Sequence, residues 1–315
     1  MSKLASFSTL VISLTLIGEV LADPTVVAHK AEIEKPHDAA EAMAGISRTK
    51  TEVRGWDHLV EVLARRGGDP VQLARVFQDK RLPWFSDISF SPRPRESHAL
   101  YRHFKNKDKI SAARTFMKKW RRALAASEAS YEVSAAVITS ILLVETQLGK
   151  VTGDHTVLYR LARIAAVSKP ENVQWNYERL RTQGEQVTLE ELQNRSRYLE
   201  DTFAPEILAL LEIADRNRID IFRVKGSIAG AFGYPQFLPS SFLRFGVDAD
   251  GDGRVSLFSF PDSIASVAHF LNHFGWRKGL TRAQQRAILW NYNKSDAYVD
   301  TVLDIADLLS SNKPM

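Results

Sequence analysis

The sequence predicts a mainly α-helical fold on three observations. Apolar residues recur at helical spacing along most of the chain from Trp56, capping residues bound those runs, and strand-like alternation is scarce. Trp56, Leu59, Val60 and Leu63 share one helical face, and Gly67-Gly68 ends that helix. Asp69 as N-cap and Pro70 at the first helical position open a second helix carrying Val71, Leu73, Ala74 and Phe77. From Ser89 to Ser97 the spacing of Pro92 and Pro94 disfavours helix and predicts an extended segment. A long helix is expected from about Ser111 to Ala126 and another from Ser134 to Leu148. Helical patterns resume around Leu189–Ile219 and Ser263–Phe274, then at Arg282–Trp290 and Tyr298–Leu309.

A chain of 315 residues, 44% of them hydrophobic, can bury one or two substantial cores. Its first 22 residues read as a secretory signal. Lys3 precedes a mostly apolar run from Leu4 to Gly18, and Val20 and Ala22 stand where a signal peptidase reads. The run is short for a membrane span and carries Glu19 near its end, which favours cleavage over retention as an anchor. Residues 23–50 are polar and rich in Ala, Glu and Lys, the composition of a mobile leader. The absence of cysteine excludes a disulfide framework and a cysteine-linked lipid anchor. Net charge is +5 with or without residues 1–22, and the pI of 9.3 suits an anionic partner. That partner is not expected to be nucleic acid: the cations are scattered, and Lys118-Lys119 and Arg121-Arg122 read as a solvated helix face. No organic cofactor is expected. His269 and His273 lie one turn apart without a His-Glu-x-x-His pattern, so they read as a packing pair.

Ser134 can cap the helix that begins at Ala135, and Gly149 stands where a left-handed residue is expected to close it. Only Thr139 and Ser140 interrupt the apolar run from Ala135 to Val144, so this helix is expected to be buried on most sides. Glu145 shares a face with Ile138, Ile141, Leu142 and Leu148. Desolvation and the negative end of the helix dipole both disfavour its anion. Two readings fit: a general acid with a raised pKa, or a carboxylate paired with an arginine at a helix end.

The stretch from Gly226 to Ser241 combines Gly226, Gly230 and Gly233 with Phe232, Tyr234 and Phe237. Small residues let backbone approach a ligand while the aromatic rings offer apolar faces, and Gln236 adds an amide; a tightly packed turn is the other reading. Asp248, Asp250 and Asp252 then alternate, with Gly253 at the sixth place, as in an EF-hand calcium loop. The carbonyl of Arg254 and the hydroxyl of Ser256 fall at the next two ligand positions. Ser259 stands twelfth, where a carboxylate is usual, and Asp262 can supply it if the loop is longer. A structural calcium site and a metal-free Asp/Gly turn are both open.

Val144 to Gly149, Gly226 to Gly230, Gly233 to Ser241, the Asp loop, Gly275-Trp276 and Tyr292-Asn293-x-Ser295 follow the order of one family. From about Trp56 to Leu309 the chain resembles the lytic transglycosylase B family. The resemblance implies a lysozyme-like core with an embedded EF-hand-type loop, a flanking helical domain and a small β-containing part. Residues 51–127 would be an N-terminal helical region, 128–280 the catalytic core and 281–315 C-terminal helices completing the helical domain. It implies Glu145 as the single acid/base, with Ser227, Tyr234, Gln236, Tyr292 and Asn293 contacting substrate. Asp248, Asp250, Asp252, Arg254 and Asp262 would hold calcium. The implied substrate is the glycan strand of peptidoglycan in the periplasm, cleaved without water to a 1,6-anhydro end, and cell-wall synthesis or division proteins are the implied partners. Phe270 stands where the family usually has a tyrosine. A hydrolase using Asp154 as second carboxylate and a non-catalytic peptidoglycan-binding protein are the alternatives.

Overall fold

The structure, a computed structural model, describes residues 53–93 and 98–311. The signal segment and the leader therefore lie outside the described residues. The helices are α1 (Asp57–Arg65), α2 (Pro70–Gln78), α3 (Lys107–Lys119), α4 (Arg121–Tyr131), α5 (Ala135–Thr146) and α6 (Val157–Ala165). They continue as α7 (Pro170–Thr182), α8 (Leu189–Asn217), α9 (Pro239–Phe245), α10 (Phe260–His273), α11 (Arg282–Leu289) and α12 (Asp296–Ser310). Two-residue strands β1 (His155–Thr156) and β2 (Lys225–Gly226) pair antiparallel, with His155 opposite Gly226.

The described chain divides into two compact units. One contains residues 53–93 and 162–208, the other 98–161 and 209–311. In the first, Asp69 caps α2 by accepting from the Gln72 N–H at 2.7 Å, as its position before Pro70 predicts. Among the described residues the extended segment before Pro92 has no neighbouring strand. Its backbone is satisfied by side chains instead: buried Asn172 and Asn176 of α7 accept from the N–H groups of Ile88 and Phe90 at 2.7 and 3.1 Å. Their amides return bonds to the Ile88 carbonyl at 3.2 and 2.9 Å.

The second unit is arranged around α5, on which every residue from Ala136 to Thr146 is buried. Ser134 caps it through the Val137 N–H. Its most extensive helix pairing is with α12, whose Tyr298, Val299, Val302, Leu303 and Ile305 are at most 1% exposed. Helices α3, α4, α11 and α12 fall in the same unit as α5. Sequence order carries no record of which helix covers α5.

The single helix expected over 111–126 is two helices, broken at Trp120 (φ −101°, ψ 21°), whose indole packs on Phe260 at 5.1 Å between ring centroids. The helix expected to reach Leu148 stops at Thr146, with Gln147, Leu148 and Gly149 all left-handed at φ of 51°, 60° and 82°. The N–H of Leu148 then reaches back to the Leu142 carbonyl at 3.0 Å and closes the helix end.

Candidate active site

Glu145 occupies the last turn of α5 and is only 6% exposed. Its Oε1 accepts a 2.6 Å hydrogen bond from the Tyr298 hydroxyl on α12. Its Oε2 is buried with no hydrogen-bond partner among the described residues. Burial pushes the carboxyl up from an ordinary value of 4.5 to about 8, against the opposing effect of the Tyr298 bond. The arginine-paired reading does not hold among the described residues, where the only hydrogen-bond partner of this carboxyl is a tyrosine. Tyr298 and Tyr292 stack at 6.3 Å with a 10° interplanar angle. Burial holds both phenols well above their ordinary range, with the nearby Glu145 adding to it, so both remain neutral donors.

The glycine-rich stretch folds back on itself through bridges between Gly226 and Phe232 and between Phe232 and Phe237. It is tied to the end of α5 by the Thr146 hydroxyl, which donates to the Tyr234 carbonyl at 2.9 Å and accepts from the Gly149 N–H at 3.0 Å. Close approach is what makes Gly149 necessary: a Cβ there would lie 2.9 Å from both the Tyr234 and Phe260 rings. Those two rings stack at 4.3 Å. Gly153 is needed for the same reason, its absent Cβ falling 2.1 Å from the Gly226 carbonyl oxygen.

The expected site residues meet different fates. Tyr234 lies half-buried beside the end of the Glu145 helix. Tyr292 is close enough to Glu145 for electrostatic coupling, and its hydroxyl donates to the Pro235 carbonyl at 2.7 Å. Asn293 is buried, with its Oδ1 unpartnered among the described residues. Gln236 does not reach the Glu145 carboxyl with its amide nitrogen, which donates to the carbonyls of Gly233 at 2.8 Å and Thr152 at 3.1 Å. A left-handed backbone at Gln236 (φ 51°) curls its side chain onto its own turn. Ser227 Oγ likewise accepts from the Ala231 N–H at 3.2 Å, within its own turn. Phe270 packs at 4.8 Å against Tyr292 and brings no hydroxyl. Tyr298 is the residue that sequence reasoning missed as a site residue: its apolar spacing on α12 reads as core, and only its hydroxyl distinguishes it.

In the acidic loop, Asp248, Asp250 and Asp262 bring carboxylate oxygens within 4.8 Å of one another. Asp262 is buried and accepts from the N–H groups of Ala249 at 2.9 Å and Ser256 at 2.8 Å, which shapes the loop from below. Three convergent carboxylates suit a hard cation that prefers oxygen. Asp252 falls outside this group, and its Oδ1 accepts from the Arg254 N–H at 2.8 Å. His269 and His273 are engaged separately, with the Phe245 carbonyl at 3.2 Å and Arg244 at 2.8 Å.

A desolvated carboxyl at the end of a core helix, held by one phenol and next in sequence to the threonine that ties down an aromatic turn, has the chemistry a general acid would need, on a helical scaffold. The chain belongs to the Transglycosylase SLT domain family, whose model matches residues 53–288. Over 172 residues it is 32% identical to the membrane-bound lytic murein transglycosylase B of Escherichia coli (strain K12). That match covers 55% of this chain and 40% of the relative's length. Among solved structures it is similar to soluble lytic transglycosylase SltB1 from Pseudomonas aeruginosa (TM-score 0.61, 23% identity, 80% of this chain and 98% of that one). It is also similar to Escherichia coli Slt35 in complex with calcium (TM-score 0.58, 20% identity, 85% and 92%). A third likeness is to SltB3 from Pseudomonas aeruginosa in complex with NAG-anhNAM-pentapeptide (TM-score 0.59, 18% identity, 83% and 80%). These likenesses establish the lysozyme-like transglycosylase fold.

Proposed function

We propose that the chain is a lytic murein transglycosylase that cleaves the glycan strand of peptidoglycan between N-acetylmuramic acid and N-acetylglucosamine without adding water. The observation that carries this reading is the buried Glu145 carboxyl, with Oε1 bonded to Tyr298 and Oε2 unpartnered among the described residues. A carboxyl with a pKa near 8 holds its proton at neutral pH and can deliver it to a glycosidic oxygen as the C1–O bond breaks. The substrate's own 2-acetamido group stabilises the electron-poor C1. Glu145, now a carboxylate, takes the proton of the muramic C6 hydroxyl while O6 bonds to C1 and closes the anhydro ring. Intramolecular attack gains from effective molarity, so neither an activated water nor a second carboxylate is required. The rival second carboxylate, Asp154, has a side chain 95% exposed, beside His155 at 3.8 Å.

Tyr298 positions the proton donor, and Tyr234, Tyr292 and Asn293 furnish the sugar-facing surface, with Ser227 and Gln236 shaping the turn that carries Tyr234. Asp248, Asp250 and Asp262 would hold a calcium ion, which would tie the loop after α9 to the start of α10 and supply no chemistry to the reaction. The calcium complex of Slt35 supports that reading. The periplasm is the compartment this substrate requires, and the expected leader fits it; enzymes of cell-wall synthesis or division are the partners expected there.

The test is release of muropeptides from purified sacculi. Wild type is expected to release them and Glu145→Gln to release none while keeping its circular dichroism spectrum. A folded Glu145→Gln protein that still cleaves would end the assignment.

A further inference from the structure

Four cations surround one aromatic residue at the α3–α4 junction: Lys118, Lys119, Trp120, Arg121 and Arg122. All four cationic side chains are exposed, and none meets a carboxylate among the described residues. Lys118 and Lys119 end α3, where the helix dipole favours positive charge. Arg121 and Arg122 begin α4, where the dipole opposes it, and that helix has neither an acidic residue in its first turn nor a side-chain cap. Helix stability therefore accounts for the lysines and not for the arginines.

The cluster is also connected to the site. Trp120 lies under the Lys119 ammonium at 5.3 Å and packs on Phe260 at 5.1 Å. Phe260 stacks on Tyr234 at 4.3 Å, and the Tyr234 carbonyl is bonded to Thr146, the neighbour of Glu145. Trp120, Phe260 and Tyr234 are each partly exposed, so a row of aromatic faces leads from the basic cluster to the end of the catalytic helix. Aromatic faces suit sugar rings, while clustered cations suit a ligand whose negative charges repeat along its length. A glycan strand that carries peptide stems with free carboxylates has both features.

We propose that Lys118, Lys119, Arg121 and Arg122 form a subsite that binds the ionised carboxylates of the peptide stems on the strand being cleaved. This makes the enzyme selective for strands with free, uncapped stem carboxylates. The inference rests on the glycan-cleaving reading above.

The test compares soluble strands carrying native stems with the same strands whose carboxylates have been converted to amides by carbodiimide and ammonia. For the wild type, amidation is expected to lower kcat/KM by about fivefold, the effect of two exposed ion pairs, and to leave kcat unchanged. The R121Q/R122Q double variant is expected to treat native strands as the wild type treats amidated ones, with amidation costing it little more. R121K/R122K, which keeps the charge, is expected to restore the preference. A double glutamine variant with wild-type kcat/KM on native strands, or one impaired equally on both substrates, would overturn the proposal. So would loss of binding to phosphatidylglycerol vesicles with strand cleavage unaffected, which would assign the cluster to a lipid surface. Wild-type protein that cleaves neither strand would instead remove the enzymatic reading on which the proposal stands.

Discussion

Glu145 is costly to the fold, and the proposed mechanism requires it. An unfolded chain releases this proton near pH 4.5, whereas the folded chain holds it to about pH 8. Between those values the native state binds the extra proton, so stability falls as pH rises and levels off above about 8. At pH 7 the cost is about 3 kcal/mol. Ile138, Ile141 and Leu142 on the same helix are 0% exposed, and burial of each such side chain contributes roughly 1.5–3 kcal/mol. Packing therefore offsets the carboxyl with a margin. Glu145→Gln is accordingly expected to be inactive yet more stable than wild type at pH 7, with the difference vanishing near pH 4, as thermal melts across pH would show. On the proposed mechanism the same proton is the one delivered, so activity on murein is expected to fall as pH rises through about 8. Tyr298→Phe removes the bond that favours the anion, so the alkaline limb is expected to move to higher pH while the rate drops roughly tenfold. A limb that stays in place would show that the phenol does not govern the proton.

At the scale of elements, what the sequence reveals is the periodic part. Caps at Asp69 and Ser134 and the buried character of α5 follow from residue type and spacing. The break at Trp120 does not, because it is set by the indole packing on Phe260, some 140 residues away in sequence. Helices α6 and α7 escape the reading for a related reason. Arg160 and Arg163 interrupt the α6 pattern, and α7 buries Asn172 and Asn176, polar residues that a periodicity argument assigns to solvent. Gly149 was legible as a helix end, though not the two left-handed non-glycine residues before it. Gly149→Ala is expected to destabilise by about 1–3 kcal/mol and to displace the Tyr234 turn, measurable as a lower melting temperature with reduced activity. In the acidic loop, millimolar calcium is expected to raise the melting temperature by mass action, and Asp250→Ala to abolish that shift. No shift in the wild type would refute the cation site.

For the whole molecule, the fold class and the buried carboxyl were legible, and the contacts assembled around it were not. A carboxylate in an apolar run announces itself, whereas Tyr298 lies 153 positions away on a helix whose pattern reads as plain core. The noncontiguous units have the same origin: chain order does not say that α12 returns to cover α5. Among the described residues no single helix is long and apolar enough to cross a membrane. The central claim is that one buried acid, working without a second carboxylate or a water nucleophile, cuts the strand. Mass spectrometry of the sugars freed by the wild-type protein tests it most directly. Muramic ends one water lighter than reducing ends are expected throughout the digest; ends of full hydrolytic mass would contradict it.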